Sequence, residues 1–204
     1  MHYWTKIYKL VFLVVLLLAK TPLIALLVPP LTGRFVLVGC IIDKIRSVAL
    51  FDFDKTLYNG FSYFDLLAKQ TEEGVVSKDV FMAAQNILQE YQNGTAGYET
   101  SVAQLLSLQA AGLRGRDYQA VYDSSFAFFA ESAKMYPFAT EIFDVLRPTH
   151  DIYLVTAEPQ FIAESVVAAN GLYGYFATQY EVDEGKFTGT VATSLASNHE
   201  NCVL

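Results

Sequence analysis

The chain is poor in the residues that would make several functional classes easy to recognise. Among 204 residues there are two cysteines, Cys40 and Cys202. That excludes a disulfide framework, and without a CxxC pair, an HExxH segment or clustered histidines there is no local support for a zinc site. His2, His150 and His199 are scattered, and His150 is expected to be structural, at a helix-to-strand turn. Charge is also scarce: 17% of residues are charged, against about a quarter in an average soluble domain, while 53% are hydrophobic. A chain so apolar is not disordered.

The few charges are unevenly placed. Residues 1–46 hold six basic residues and one acidic one, whereas residues 47–204 hold eight basic and twenty acidic. Two physically different objects therefore share the chain, a basic apolar leader and an acidic body. An acidic body of this kind excludes nucleic acid as a partner.

Within the leader, residues 10–28 (LVFLVVLLLAKTPLIALLV) are interrupted only by Lys20, Thr21 and Pro22. Nineteen residues at 1.5 Å each reach about 28 Å, enough for a bilayer core of about 30 Å if Lys20 snorkels. The favoured reading is a membrane anchor. A cleavable signal peptide, with Lys6 and Lys9 as its basic region, lacks a small-x-small cleavage site. A hairpin kinked at Pro29-Pro30 and returning through residues 35–42, or a start site placed too early, are the other readings. Basic residues flank both ends, so the positive-inside rule does not orient the segment.

The body reads as alternating strands and helices. Residues 47–53 (SVALFDF), 151–156 (DIYLVT) and 175–180 (YFATQY) look like strands, and nearly a hundred residues of helical pattern separate the first two. Val80, Ala84, Ile87, Leu88 and Tyr91 form a stripe behind Ser77, a suitable N-cap. Val102, Leu105 and Leu106, then Tyr118, Val121 and Tyr122, open two more stripes. The aromatic series Tyr122, Phe126 and Phe129 is expected to face the core. Pro137 and Pro159 suit first helical turns over 138–147 and 160–169, and Asn170-Gly171 suits a left-handed cap. Residues 181–190 look like a hairpin turning on Glu184-Gly185. The order predicts an α/β fold with a Rossmann-like parallel sheet, an inserted helical cap and an N-terminal apolar segment. The expected division is a leader over 1–46, a core over 47–59 and 138–204, and a cap over 60–137.

The segment Leu50-Phe51-Asp52-Phe53-Asp54-Lys55-Thr56-Leu57 is where the chemistry concentrates. Open α/β sheets bind ligands at the carboxyl ends of their strands, and two carboxylates leave the first strand there. Their spacing of two puts them on one side, close enough to require a cation or a shared proton. Magnesium, a hard cation that keeps phosphate oxygens among its ligands, fits that requirement.

FDFDKTL resembles the first motif of the haloacid dehalogenase superfamily, a hydrophobic strand followed by DxDxT and an apolar residue. The layout over about residues 47–190 is similar to the phosphoserine-phosphatase-like branch. It has a cap of about eighty residues after the motif, a strand ending in Thr156, a helix, a strand and the hairpin containing Gly185-Lys186-Phe187-Thr188-Gly189. The resemblance implies a magnesium-dependent phosphomonoester hydrolase acting on a small phosphorylated metabolite. Asp52 would be the nucleophile and Asp54 the general acid and base, both contributing to the metal. Thr156 would hold phosphate, Thr56 would order the loop, and backbone N–H groups after Asp52 would face developing charge.

The family's later lysine and its GD-type acidic pair are not found. No lysine or arginine follows Lys186, which belongs to the hairpin, and Glu200 reads as a tail residue. The sheet is expected to lack its last two strands and to leave strand 47–53 at an edge. Two readings follow: a membrane-tethered phosphatase whose sequence stops short, feeble or inactive as 204 residues, or a non-catalytic remnant that binds metal or phosphate. A third takes Asp52-Phe53-Asp54 as the DxD of an anchored glycosyltransferase. The body is expected on the cytoplasmic side, where magnesium and phosphorylated metabolites are found.

Overall fold

The computed structural model describes residues 46–131 and 134–196. The expected anchor at residues 10–28 lies outside them. Among the described residues no helix is long and apolar enough to cross a membrane.

A four-stranded sheet carries the fold in the order β1 (Ser47–Phe51), β2 (His150–Pro159), β3 (Gly174–Asp183), β4 (Lys186–Thr193). The first three strands are parallel, and β4 returns antiparallel to β3. Ala49, Phe51, Ile152 and Leu154 are buried along β1 and β2, as in a strand pair covered by helices. Phe51 meets Phe143 of α5 (Pro137–Leu146) edge to face at 5.8 Å. α6 (Gln160–Asn170) joins β2 to β3 and buries Phe161, Ile162, Ala163 and Val166. It ends at Gly171, whose φ of 59° and ψ of 42° make the expected left-handed cap. The β3–β4 turn also meets expectation: Glu184 and Gly185 both have positive φ, 48° and 78°, which a two-residue hairpin of right-twisted strands requires.

Among the described residues β1 ends the sheet on one side, as anticipated, and Val48 on it is 41% exposed. The strands differ from their predicted limits. β1 stops at Phe51 because Asp52 and Phe53 already turn into a loop, while β2 runs to Pro159 and β3 and β4 lengthen the hairpin.

Between β1 and α5 lie four helices: α1 (Ser62–Glu72), α2 (Lys78–Gln92), α3 (Tyr98–Gly112) and α4 (Tyr118–Glu131). Ser77 caps α2 by accepting a hydrogen bond from the Val80 amide at 3.4 Å. Two short segments lead into and out of this helical group side by side. The Tyr136 amide donates to the Leu57 carbonyl at 2.9 Å, and that of Asn59 to Lys134 at 2.8 Å. The helices also rest on the sheet layer. Gly115 and Arg116 exchange backbone hydrogen bonds with Phe187, and the Tyr118 hydroxyl donates to Glu164 of α6 at 2.5 Å. Of the aromatic series on α4, Phe129 is buried but Phe126 is 37% exposed and stacks on Tyr122, so the stripe is core at one end only.

Candidate active site

The loop after β1 is closed by one carbonyl. The Phe53 carbonyl oxygen accepts from the amides of Thr56, Leu57 and Tyr58 at 2.8–3.1 Å, and the Lys55 amide donates to Tyr58 at 2.7 Å. Those amides therefore satisfy the loop itself, and the expectation of anion-facing N–H groups after Asp52 is left to Phe53 and Asp54. Closing so tightly puts Lys55 at a φ of 59°, a left-handed conformation that disfavours a side chain by about 1–2 kcal/mol. Beneath the loop, the fully buried rings of Phe53 and Tyr58 pack together and against Phe129 of α4, at centroid distances of 5.3, 5.8 and 6.1 Å.

Both aspartates line a cavity of about 270 Å³ under α1, α2 and α3, and Thr156, three residues before the end of β2, lines it too. Asp52 is exposed, and its Oδ2 accepts a hydrogen bond from the Thr56 hydroxyl at 3.0 Å. Thr56 thus orients Asp52 from outside the cavity lining. Asp54 accepts the Ser62 amide on both carboxylate oxygens, at 3.0 and 3.2 Å. Ser62 is the first residue of α1, whose N-cap residue Phe61 has no capping side chain. Asp54 supplies the missing cap and places negative charge at the positive end of the helix dipole. The buried Thr156 hydroxyl accepts from the Glu158 amide at 3.2 Å, pinning the turn into α6.

Two cavity residues carry no role in the sequence reading. Glu158 brings a third carboxyl group, close enough to Asp54 for their charges to interact. Its Oε2 is buried without a hydrogen-bond partner among the described residues. The signal was an acidic residue two positions after Thr156, the same spacing as in the aspartate pair. Burial pushes the Glu158 carboxyl well above its usual value, and the charges of Asp54 and Asp52 add to that. Asp54 is also raised, first by burial; hydrogen bonds from Ser62 and Glu158 act against this, and the charge of Asp52 acts with it. Asp54 and Glu158 thus hold a proton between them more readily than isolated carboxylates do. The second residue is Lys55, the sole cationic side chain lining the cavity among the described residues, with Nζ 3.8 Å above the Phe61 ring.

Lys186 lies apart, paired through the backbone with Asp117, as expected of a hairpin residue. His150 opens β2 with Nδ1 2.8 Å from the Thr149 hydroxyl, a structural contact. Glu200 lies outside the described residues. Among the described residues no group of three His, Cys, Asp or Glu side chains is arranged to hold a metal ion. Magnesium needs fewer protein ligands, since it completes its shell with water and substrate phosphate, and Asp52 and Asp54 suit it on that basis.

A strand delivering an aspartate pair beneath an inserted helical layer is the arrangement of one hydrolase family. The model of the haloacid dehalogenase-like hydrolases matches residues 49–203, and the chain belongs to that family. That membership overturns the glycosyltransferase reading of Asp52-Phe53-Asp54. No curated protein matches the chain. Among solved structures, a protein of unknown function from Bordetella pertussis Tohama I is 22% identical, with a TM-score of 0.54, over 70% of this chain and 64% of its own. A phospho-aspartyl intermediate analogue of phosphoserine phosphatase is 22% identical, with a TM-score of 0.46, over 71% of this chain and 61% of its own. Phosphoserine phosphatase from T. onnurineus is 20% identical, with a TM-score of 0.45, over 74% and 66%. The chain spans about three-fifths of the length of the first two, and identities at this level speak for the fold alone.

Proposed function

We propose that the protein is a magnesium-dependent phosphomonoester hydrolase working through an aspartyl-phosphate on Asp52. The observation that carries this reading is the meeting of Asp52, Asp54 and Thr156 in one cavity, each with its own orienting hydrogen bond. An Asp52 carboxylate oxygen attacks phosphorus while the bond to the alcohol oxygen breaks. Asp54 gives that oxygen a proton. Water then attacks the aspartyl-phosphate, Asp54 takes a proton from it, and inorganic phosphate leaves with Asp52 restored. Thr156 steadies a phosphate oxygen through its hydroxyl, Thr56 keeps Asp52 aligned, and Glu158 shares the proton that Asp54 handles. Magnesium bound by Asp52 and Asp54 would neutralise charge on the phosphate.

In the same reading, residues 47–59 and 138–204 form the catalytic core and residues 60–137 the cap, while residues 1–46 form a leader. Residues 10–28 tether the body to a membrane, with the body in the cytoplasm; the apolar run and the charge asymmetry support this.

The test is magnesium-dependent hydrolysis of p-nitrophenyl phosphate by the chain and by Asp52→Asn. Turnover that is lost in the variant supports the reading, and turnover that persists in it removes Asp52 as nucleophile. No turnover, with inorganic phosphate still bound, selects the second reading, a phosphate-binding module. That alternative is favoured by the single cation, Lys55, among the described residues lining the cavity.

A further inference from the structure

We propose that the alcohol half of the substrate is apolar and uncharged, so that the site takes the phosphate ester of an aromatic or branched aliphatic alcohol. The proposal rests on the phosphomonoesterase reading for the reacting end of the cavity and adds the class of the leaving group.

The cavity has two chemically distinct ends. All three of its carboxyl groups come from the sheet side, Asp52 and Asp54 from the loop after β1 and Glu158 from the last residues of β2. The opposite wall comes from α1, α2 and α3, where Phe64, Leu88, Tyr91, Tyr98, Val102 and Leu105 line it. Tyr91 and Tyr98 meet edge to face at 6.1 Å, and the Tyr63 hydroxyl is taken up by the Leu105 carbonyl at 2.8 Å, so that ring presents an apolar face. Ser101 is a neutral polar member of this wall; its hydroxyl is buried and has no hydrogen-bond partner among the described residues. Among the described residues no arginine, and no lysine beyond Lys55, lines the cavity.

A leaving group with its own carboxylate, such as serine, would be desolvated against this wall without a counter-ion. Leaving water uncompensated there costs a charged group far more than an apolar one. Lys55 cannot serve it as well, because the phosphate dianion already needs every positive charge the site offers. An ammonium group fares little better, because the acids lie at the phosphate end and the helical wall holds none. A ring or branched chain loses nothing by leaving water there, and the buried Ser101 hydroxyl remains to orient it.

The experiment measures binding to the full-length Asp52→Asn chain with magnesium present, by calorimetric titration of five probes. These are 1-naphthyl phosphate, O-phospho-L-serine, O-phosphoethanolamine, inorganic phosphate and 1-naphthol. The naphthyl ester is expected to bind at least tenfold more tightly than either charged ester, a gap of about 1.4 kcal/mol. Naphthol alone binds more weakly but measurably. Tyr98→Arg, at a position 58% exposed and therefore tolerant, narrows the gap to phosphoserine. Equal or tighter binding of phosphoserine or phosphoethanolamine overturns the proposal, as does a failure of both naphthyl probes to bind. The two readings fail separately. If naphthol binds but no phosphate does, the hydrolase reading falls and the apolar class stands; if phosphoserine binds best, the reverse holds.

Discussion

The two ends of the cavity are built by opposite means. At the core end, three loop amides converge on the Phe53 carbonyl, and each reacting side chain is held by a named hydrogen bond. At the helical end, the wall consists of side chains on separate helices, with Tyr91 and Tyr98 partly open to solvent. In the proposed reading, directional bonds hold the reacting groups and the apolar surface receives the rest of the substrate. Preorganisation is needed where charge develops, whereas apolar contact tolerates displacement.

Substitutions at each end should therefore differ in kind. The largest effect is expected from Asp52→Asn, which removes the proposed nucleophile: turnover of p-nitrophenyl phosphate should fall by about 10³-fold or more, roughly 4 kcal/mol or more of barrier, with the melting temperature little changed. Phe53→Ala attacks the support and not the chemistry. Emptying the space among Phe53, Tyr58 and Phe129 should cost about 3–5 kcal/mol in denaturant unfolding. Asp54→Ala should couple the two ends, since it uncaps α1 as well as removing the proposed proton donor. About 1–2 kcal/mol of stability should disappear with activity, while Ser77→Ala, which uncaps α2, should cost about 1 kcal/mol and leave activity alone.

The smallest effect is a dependence on pH. Burial raises Glu158 and Asp54 above their ordinary values, so the folded state keeps their protons longer than the unfolded chain does. This contribution to stability is complete below the unfolded carboxylate values near pH 4 and is lost as pH rises through the folded ones. Metal-free protein should accordingly melt at falling temperature from mildly acidic toward neutral pH, and Glu158→Gln should flatten that slope. A slope unchanged in Glu158→Gln would show that the acid pair does not set it.

Much of this was legible because local rules coincided with the tertiary outcome. Ser77, Pro137, Asn170-Gly171 and Glu184-Gly185 each act within a few residues, and each ended or began an element where its own chemistry required. The DxD segment was legible as a site because two acids after a buried strand need a cation or a proton. α1 escaped notice for the opposite reason. Its cap is Asp54, eight positions upstream of Ser62, and the residue before the helix is Phe61, which no capping rule selects. Glu158 was passed over because its significance depends on β1 and β2 lying side by side, a relation about a hundred residues long in sequence. The exposed end of the α4 stripe was misjudged because helical spacing reports which residues share a face and not what covers it.

The double hydrogen bond from the Ser62 amide to Asp54 has a mechanical consequence. It joins the first turn of α1 to the carboxyl group proposed to handle the proton, while the paired segments at Leu57–Asn59 and Lys134–Tyr136 hold the two ends of the helical group side by side. A displacement of α1 therefore pulls on the acid as well as on the cavity wall that α1 supplies. In the proposed reading, the helix that walls the chamber and the group that gives the proton are mechanically one part.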